Sequence, residues 1–309
     1  MPPRLPVHDA QVPPPGQVNL DHVAHFVPDV DAGSGAFEAM GFTLPPFSLQ
    51  MHRLTPGGQL VPAGTGNRTI MFRAGYIEML APVSRETPVA QELWKAIGRY
   101  TGVHLIAFGT PDANVDHARL QQAGFGPQPT VALQRALGTP EGEGTARFAV
   151  VRVAPGTMPE GRIQYCQHLT PELPWQPRWM THANGAVGLA AVILCVADPA
   201  EAVARYARFS GLAPALSNGT PLLQTQRGQF LFLDPMQTER VFGVTPPSLP
   251  WIAGTVIATH NIGAARAACS RGLVATVDLG AGRFAAVAPP AAGGIIVFQQ
   301  LGSPARPLL

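Results

Sequence analysis

The chain has 309 residues, of which 46% are hydrophobic and only 13% charged. That length suits about two domains of ~150 residues, and the apolar content excludes a disordered chain. No apolar run reaches the roughly 18–20 residues that span a bilayer, and the net charge of +2 is too small for a nucleic-acid-binding surface. Lys95 is the single lysine, and the arginines are scattered rather than clustered. Cys166, Cys195 and Cys269 lie far apart, so neither a disulfide framework nor a CxxC metal site is expected. A cytoplasmic setting follows as the expectation.

Residues 1–17 are proline-rich and lack the apolar core of a signal peptide, so they read as an extended arm. Beyond them one layout recurs four times, over 20–42, 102–125, 188–212 and 254–273. Each copy has an apolar strand, a Pro/Asp/Asn break, a helix of about ten residues and a glycine. The glycines are Gly41, Gly124, Gly211 and Gly272, placed where a helix end favours positive φ. Asp29, Asp112 and Asp198 fall at helix starts, where a carboxylate caps free N–H groups.

Turn-broken β-rich stretches follow each glycine, at 68–83, 146–153 with 161–169, 229–244 and 283–301. The predicted fold is α+β: four βαβββ modules paired into two cup-shaped mixed sheets. A helix within 82–102 joins the first two modules. The expected organisation is a first domain over 18–169, a Pro/Trp-rich bridge over 170–186, a second domain over 187–301 and a tail over 302–309.

LDHV at 20–23, VPDVDAGSGAFEAMGF after it, GTGNR at 64–68 and YIEML at 76–80 carry a resemblance. The chain is similar to the vicinal oxygen chelate superfamily, closest to its glyoxalase-like branch, well over 18–186 and mainly in topology over 187–301. The resemblance implies a divalent metal (Zn, Ni, Mn or Fe) held by the first and last strands of paired modules. It implies His22, Glu78, His104 and Gln164 as ligands, with Glu78 also as the catalytic base.

The residues themselves leave alternatives open. Glu78 sits between Ile77 and Met79, where a buried carboxylate needs a partner, although an outward, wet face would also serve it. His22 could simply bond a neighbouring strand. His104 lies eight residues before Asp112, whereas His22 lies seven before Asp29. An odd offset turns a strand residue to the other face, so Leu105 is the match on strict spacing unless a bulge at Gly109 intervenes. Gln164 stands where a glutamate is common, as a neutral ligand or a hydrogen-bonder of substrate.

Asn67, Arg68 and Arg73 are candidate substrate contacts, the arginines as anchors for an anion. His168 shares a strand face with Gln164 and is a further candidate substrate contact, with a structural role as the competing reading. The second half has no histidine at the LDHV position, so it is expected to be a degenerate, metal-free cup. No phosphate-binding, HExxH or GxSxG motif occurs.

The expected function is a metal-dependent enzyme of lyase, isomerase or dioxygenase type. The alternative is a non-catalytic protein that sequesters a small molecule, as bleomycin-resistance proteins do. The partner is a small molecule and neither nucleic acid nor membrane. Modules should pair within the chain, with a homodimer as a further possibility.

Overall fold

The computed structural model describes residues 9–53 and 58–302. The first module contains β1 (Asn19–Phe26), α1 (Val30–Ala39), β2 (Ser48–Arg53), β3 (Leu60–Met71) and β4 (Tyr76–Pro82). After α2 (Pro88–Ile97), the second contains β5 (Gly102–Gly109), α3 (Ala113–Gln122), β6 (Val131–Thr139), β7 (Gly142–Arg152) and β8 (Arg162–His168). Their strands run in the order β1-β4-β3-β2-β6-β7-β8-β5, and an antiparallel β1–β5 pairing closes the ring. The first half is therefore a closed cup. Pairing of modules is internal to the chain.

The third module contains β9 (Ala186–Cys195), α4 (Pro199–Ser210), β10 (Pro214–Ser217), β11 (Thr220–Gln224) and β12 (Gln229–Leu233). After α5 (Pro235–Phe242), the fourth contains β13 (Trp251–Thr259), α6 (Ile262–Arg271), β14 (Thr276–Gly280), β15 (Arg283–Val287) and β16 (Ile295–Gln300). β9 and β13 pair antiparallel at the centre, and β10 and β14 are its two ends, each with one recorded neighbour. This cup is filled. Ala191, Ile193, Leu231, Trp251, Ala253 and Val297 cluster with Phe242 of α5, so apolar side chains occupy the space that polar groups hold in the first cup.

The helices begin as the sequence requires. Asp29, Asp112 and Asp198 each accept backbone N–H groups of the first turn, and Asn261 does the same for α6. Three of the four helix-ending glycines have φ between +75° and +83°. Gly272 differs, with φ −78°, and Leu273 takes the left-handed position at φ +54°. Gly272 is required for space instead: a Cβ there would lie 2.4 Å from the Ala39 carbonyl at the end of α1.

The outer faces of both cups share one core with the helices. Phe37, Phe108, Phe209, Phe230, Phe232 and Phe298 belong to it, and Phe108 stacks on Phe230 across the two halves at 4.6 Å. Residues 9–17 are anchored rather than loose. The buried Gln11 side chain donates to the Arg73 carbonyl and accepts from Gly75 N–H. His182 and Asn184 fasten the bridge: His182 accepts from Thr43 N–H and donates to the Met71 carbonyl, while Asn184 donates to the Met40 carbonyl.

Candidate active site

Two irregularities in the β1–β5 ladder decide which side chains reach the cup interior. In register, Leu20 faces Phe108 but His22 faces Ala107, so Asp21 is the extra residue on β1. Further along, Ala24 faces Leu105 but His25 faces Val103, so His104 is the extra residue on β5. His104 is not on the cavity wall. Its Nε2 donates to the Tyr100 carbonyl at 2.8 Å and its ring stacks on Tyr100. The expected ligand role of His104 is corrected accordingly: Leu105 lines the cavity in its place.

The other expected ligands are brought together. Ala24 pairs with Glu78 on β4, and Ala107, opposite His22, pairs with Gln164 on β8. Because side chains alternate along a strand, His22, Glu78 and Gln164 all line one cavity inside the first cup. Each is at most 6% exposed.

His22 is held firmly. Its Nδ1 donates to Asp21 Oδ2 at 2.6 Å, and its ring stacks on Tyr76 at 4.3 Å. The same carboxylate accepts from His168 Nε2 at 3.0 Å. Asp21 is fully buried, which alone would raise its pKa, but the charges and hydrogen bonds of His168 and His22 win and hold it well below the usual range. With Nδ1 carrying the proton, the lone pair of His22 is on Nε2, the atom turned toward the cavity. His168 is expected as a substrate contact; the structure places it behind His22, packed edge-on against Trp175 at 4.8 Å.

Glu78 is held by amides. Gln50 Nε2 donates to its Oε1 at 3.0 Å, and Asn67 Nδ2 donates to the same oxygen. Thr65 in turn fixes Gln50, and Arg135 donates to Asn67 Oδ1. Asn67 thus lines the cavity and steadies the carboxylate. Gln164 Oε1 is buried with no hydrogen-bond partner, so an acceptor stands unanswered beside His22. Cys166 follows on the same face, and burial pushes its thiol pKa well up. Its sulfur and ligand atoms of Asp21 and His22 lie within 4.8 Å of one another.

Arg68 and Arg73, the expected anion anchors, are elsewhere. Arg68 pairs with Glu38 at 2.9 Å and donates to the Pro45 and Leu44 carbonyls, outside the cup. Arg73 is solvent-exposed. Arginines missed in the sequence, Arg135, Arg152 and Arg162, line the cavity instead. Parity marks Arg162, two residues before Gln164, whereas Arg152 required the β7–β8 register. Among the described residues no helix is long and apolar enough to cross a membrane.

The donor set fits a divalent ion chemically: imidazole nitrogen, carboxylate oxygen and amide oxygen suit zinc and the first-row metals. A histidine whose second nitrogen is held by a carboxylate is the usual outer-shell arrangement around such ions. Paired βαβββ cups with inward donors on first and last strands define the vicinal oxygen chelate class.

Comparison with known proteins agrees. The family described as glyoxalase-like domain matches residues 20–210, so the chain belongs to the glyoxalase-like domain family. Among curated proteins, none matches its sequence. Among solved structures, a hypothetical protein from Staphylococcus aureus is similar at TM-score 0.63 and 12% identity, over 92% of this chain and 100% of that one. A mutant of 4-hydroxymandelate synthase from Streptomyces coelicolor gives 0.54 and 15%, over 94% and 95%. A catechol 2,3-dioxygenase gives 0.51 and 13%, over 94% of each. At such identities the likeness is one of fold.

Proposed function

We propose that this protein is a metal-dependent enzyme acting on a small oxygenated substrate in the first cup, with His22, Glu78 and Gln164 as the metal-holding residues. The observation that carries the reading is the Asp21–His22 pair, which fixes one ring nitrogen and leaves the other free in a cavity shared with Glu78. A bound divalent ion would supply Lewis acidity toward adjacent substrate oxygens. The chain's own residues do the rest. Asp21 and Tyr76 hold the His22 ring, and Gln50 and Asn67 aim Glu78. The apolar wall of Leu80, Leu105, Phe148 and Val150 keeps water from the reacting groups. Glu78 is placed to take a proton from substrate at its carboxylate oxygen. Lyase, isomerase and dioxygenase chemistry all fit this set; 4-hydroxymandelate synthase and catechol 2,3-dioxygenase among the similar structures lend support to the oxygenase type.

The sequestering alternative draws on one specific observation. Leu105 cannot ligate a metal and Gln164 is a weak donor, so the site has fewer strong ligands than its topology provides. The second reading is a small-molecule binding protein of the bleomycin-resistance type using the same cavity. Metal titration of the purified protein separates the two: tight binding of one ion that is lost in His22→Ala supports the enzyme, and its absence supports sequestration.

A further inference from the structure

We propose that the ligand of the first cup is a small carboxylate with an apolar body, and that Arg152 receives its carboxylate group. This rests on the reading of the cavity as the substrate site and adds the class of substrate.

β7 turns Phe148, Val150 and Arg152 onto the inner wall. Arg152 stands opposite Gln164 in register, so its side chain starts beside one of the candidate metal-holding residues. Its Nε is enclosed and has no hydrogen-bond partner. The other two arginines of the wall are answered. Arg162 pairs with Glu92 at 3.1 Å, and Arg135 donates to Asn67. Arg152 forms no ion pair among the described residues; of the charges that act on it, Arg162 repels it and Glu92 attracts it less strongly. Burial, with Arg162 after it, lowers its pKa to about 10, which leaves it charged at neutral pH.

A half-buried cation whose Nε is shut from solvent and unpaired is costly in the folded state. With Arg162 answered by Glu92, two guanidinium groups of the cavity, Arg135 and Arg152, stand against one carboxylate, Glu78. That imbalance suits an incoming anion, and the planar fork of arginine matches a carboxylate with two parallel hydrogen bonds. One continuous part of the wall is apolar, with Leu80, Val89, Leu105 and Leu133 beside Phe148 and Val150. A free inorganic anion would leave that surface uncovered, whereas an aryl or branched-alkyl carboxylate fills it.

The test compares phenyllactate with its uncharged primary amide, phenyllactamide, by calorimetry on full-length protein in excess chelator. In wild type, phenyllactate should bind at least about tenfold more tightly than the amide, the scale of a charge-assisted hydrogen bond. Arg152→Gln should abolish that preference, and Arg152→Lys should keep part of it. The thermal midpoint of ligand-free Arg152→Gln should equal or exceed that of wild type, because an uncompensated charge has gone. Absence of phenyllactate binding, no preference in wild type, or an undiminished preference in Arg152→Gln would overturn the proposal. Adding zinc or ferrous ion tests the metal reading separately. Anion preference lost in Arg152→Gln and partly kept in Arg152→Lys, with no effect of metal in any protein, would keep this proposal and remove the enzyme reading.

Discussion

Asp21 and His22 are consecutive residues whose side chains meet, with Asp21 Oδ2 2.6 Å from His22 Nδ1. On a regular strand they would point to opposite faces. They meet because Asp21 is the extra residue of a bulge against β5, and the local twist turns its carboxylate back toward its neighbour. A buried acid, a pinned imidazole and a free Nε2 follow from that one irregularity.

Asp21→Asn should therefore weaken metal binding about 10- to 100-fold, the usual cost of losing an outer-shell carboxylate, while His22 itself is untouched. Asp21→Ala should in addition lower stability by about 2–3 kcal/mol, because the N–H groups of His22 and His168 lose their acceptor. Competition with a chelating dye and denaturant unfolding measure the two effects. Undiminished metal affinity in Asp21→Asn would show that the pair has no part in the site.

Acidification should destabilise the fold well above the range of ordinary carboxylates. Burial lowers His25 and His104 from 6.5 to about 4 each, and lowers His182 as well. These are depressed values, so their contribution is complete above pH 6.5. It declines as pH falls toward 4, since the unfolded chain then binds protons that the folded one refuses. The loss is at most about 3 kcal/mol for each of His25 and His104. Asp21, also depressed, extends the decline below its ordinary 3.8. Urea unfolding at pH 7, 5.5 and 4.5 in chelator should show the slope, and His25→Phe should flatten it. A level curve across this window would contradict the burial of these histidines as neutral groups.

Arg205 of α4 grips Glu160 with two nitrogens at 2.8 and 2.9 Å, across the seam between the halves. Glu160 is only 1% exposed at its side chain, so removing Arg205 strands its charge, whereas Arg205 also holds Glu201 at 2.8 Å. Arg205→Met should cost about 3 kcal/mol, and adding Glu160→Leu to it should recover most of that loss. Equilibrium unfolding of wild type and the two variants decides this; a double variant no more stable than Arg205→Met would mean the pair is not coupled.

Much of the architecture was legible in the chain. Four strand–helix–glycine copies with Asp29, Asp112 and Asp198 at the helix starts specify four modules, because capping and helix ends are local effects. The site was legible only in part. His22, Glu78 and Gln164 were named by the resemblance that LDHV and YIEML carry, and strand parity is the physical reason that they share one face. The odd offset of His104 was visible too; its cause, a bulge on β5 itself, depends on pairing with a strand about eighty positions away. Arg152 was invisible for the same reason, since its face is set by β7–β8 register. Arg68 misled because it stands next to Asn67, yet both lie within β3, where alternation sends the two in opposite directions.

The central claim is most directly tested by metal content and affinity of wild type, His22→Ala and Glu78→Gln after loading with zinc, ferrous or manganous ion and removal of excess. The account predicts about one equivalent of one of these ions in wild type, and loss of most of it in both variants with folding retained. Equal metal in all three proteins, or none in wild type, would contradict it.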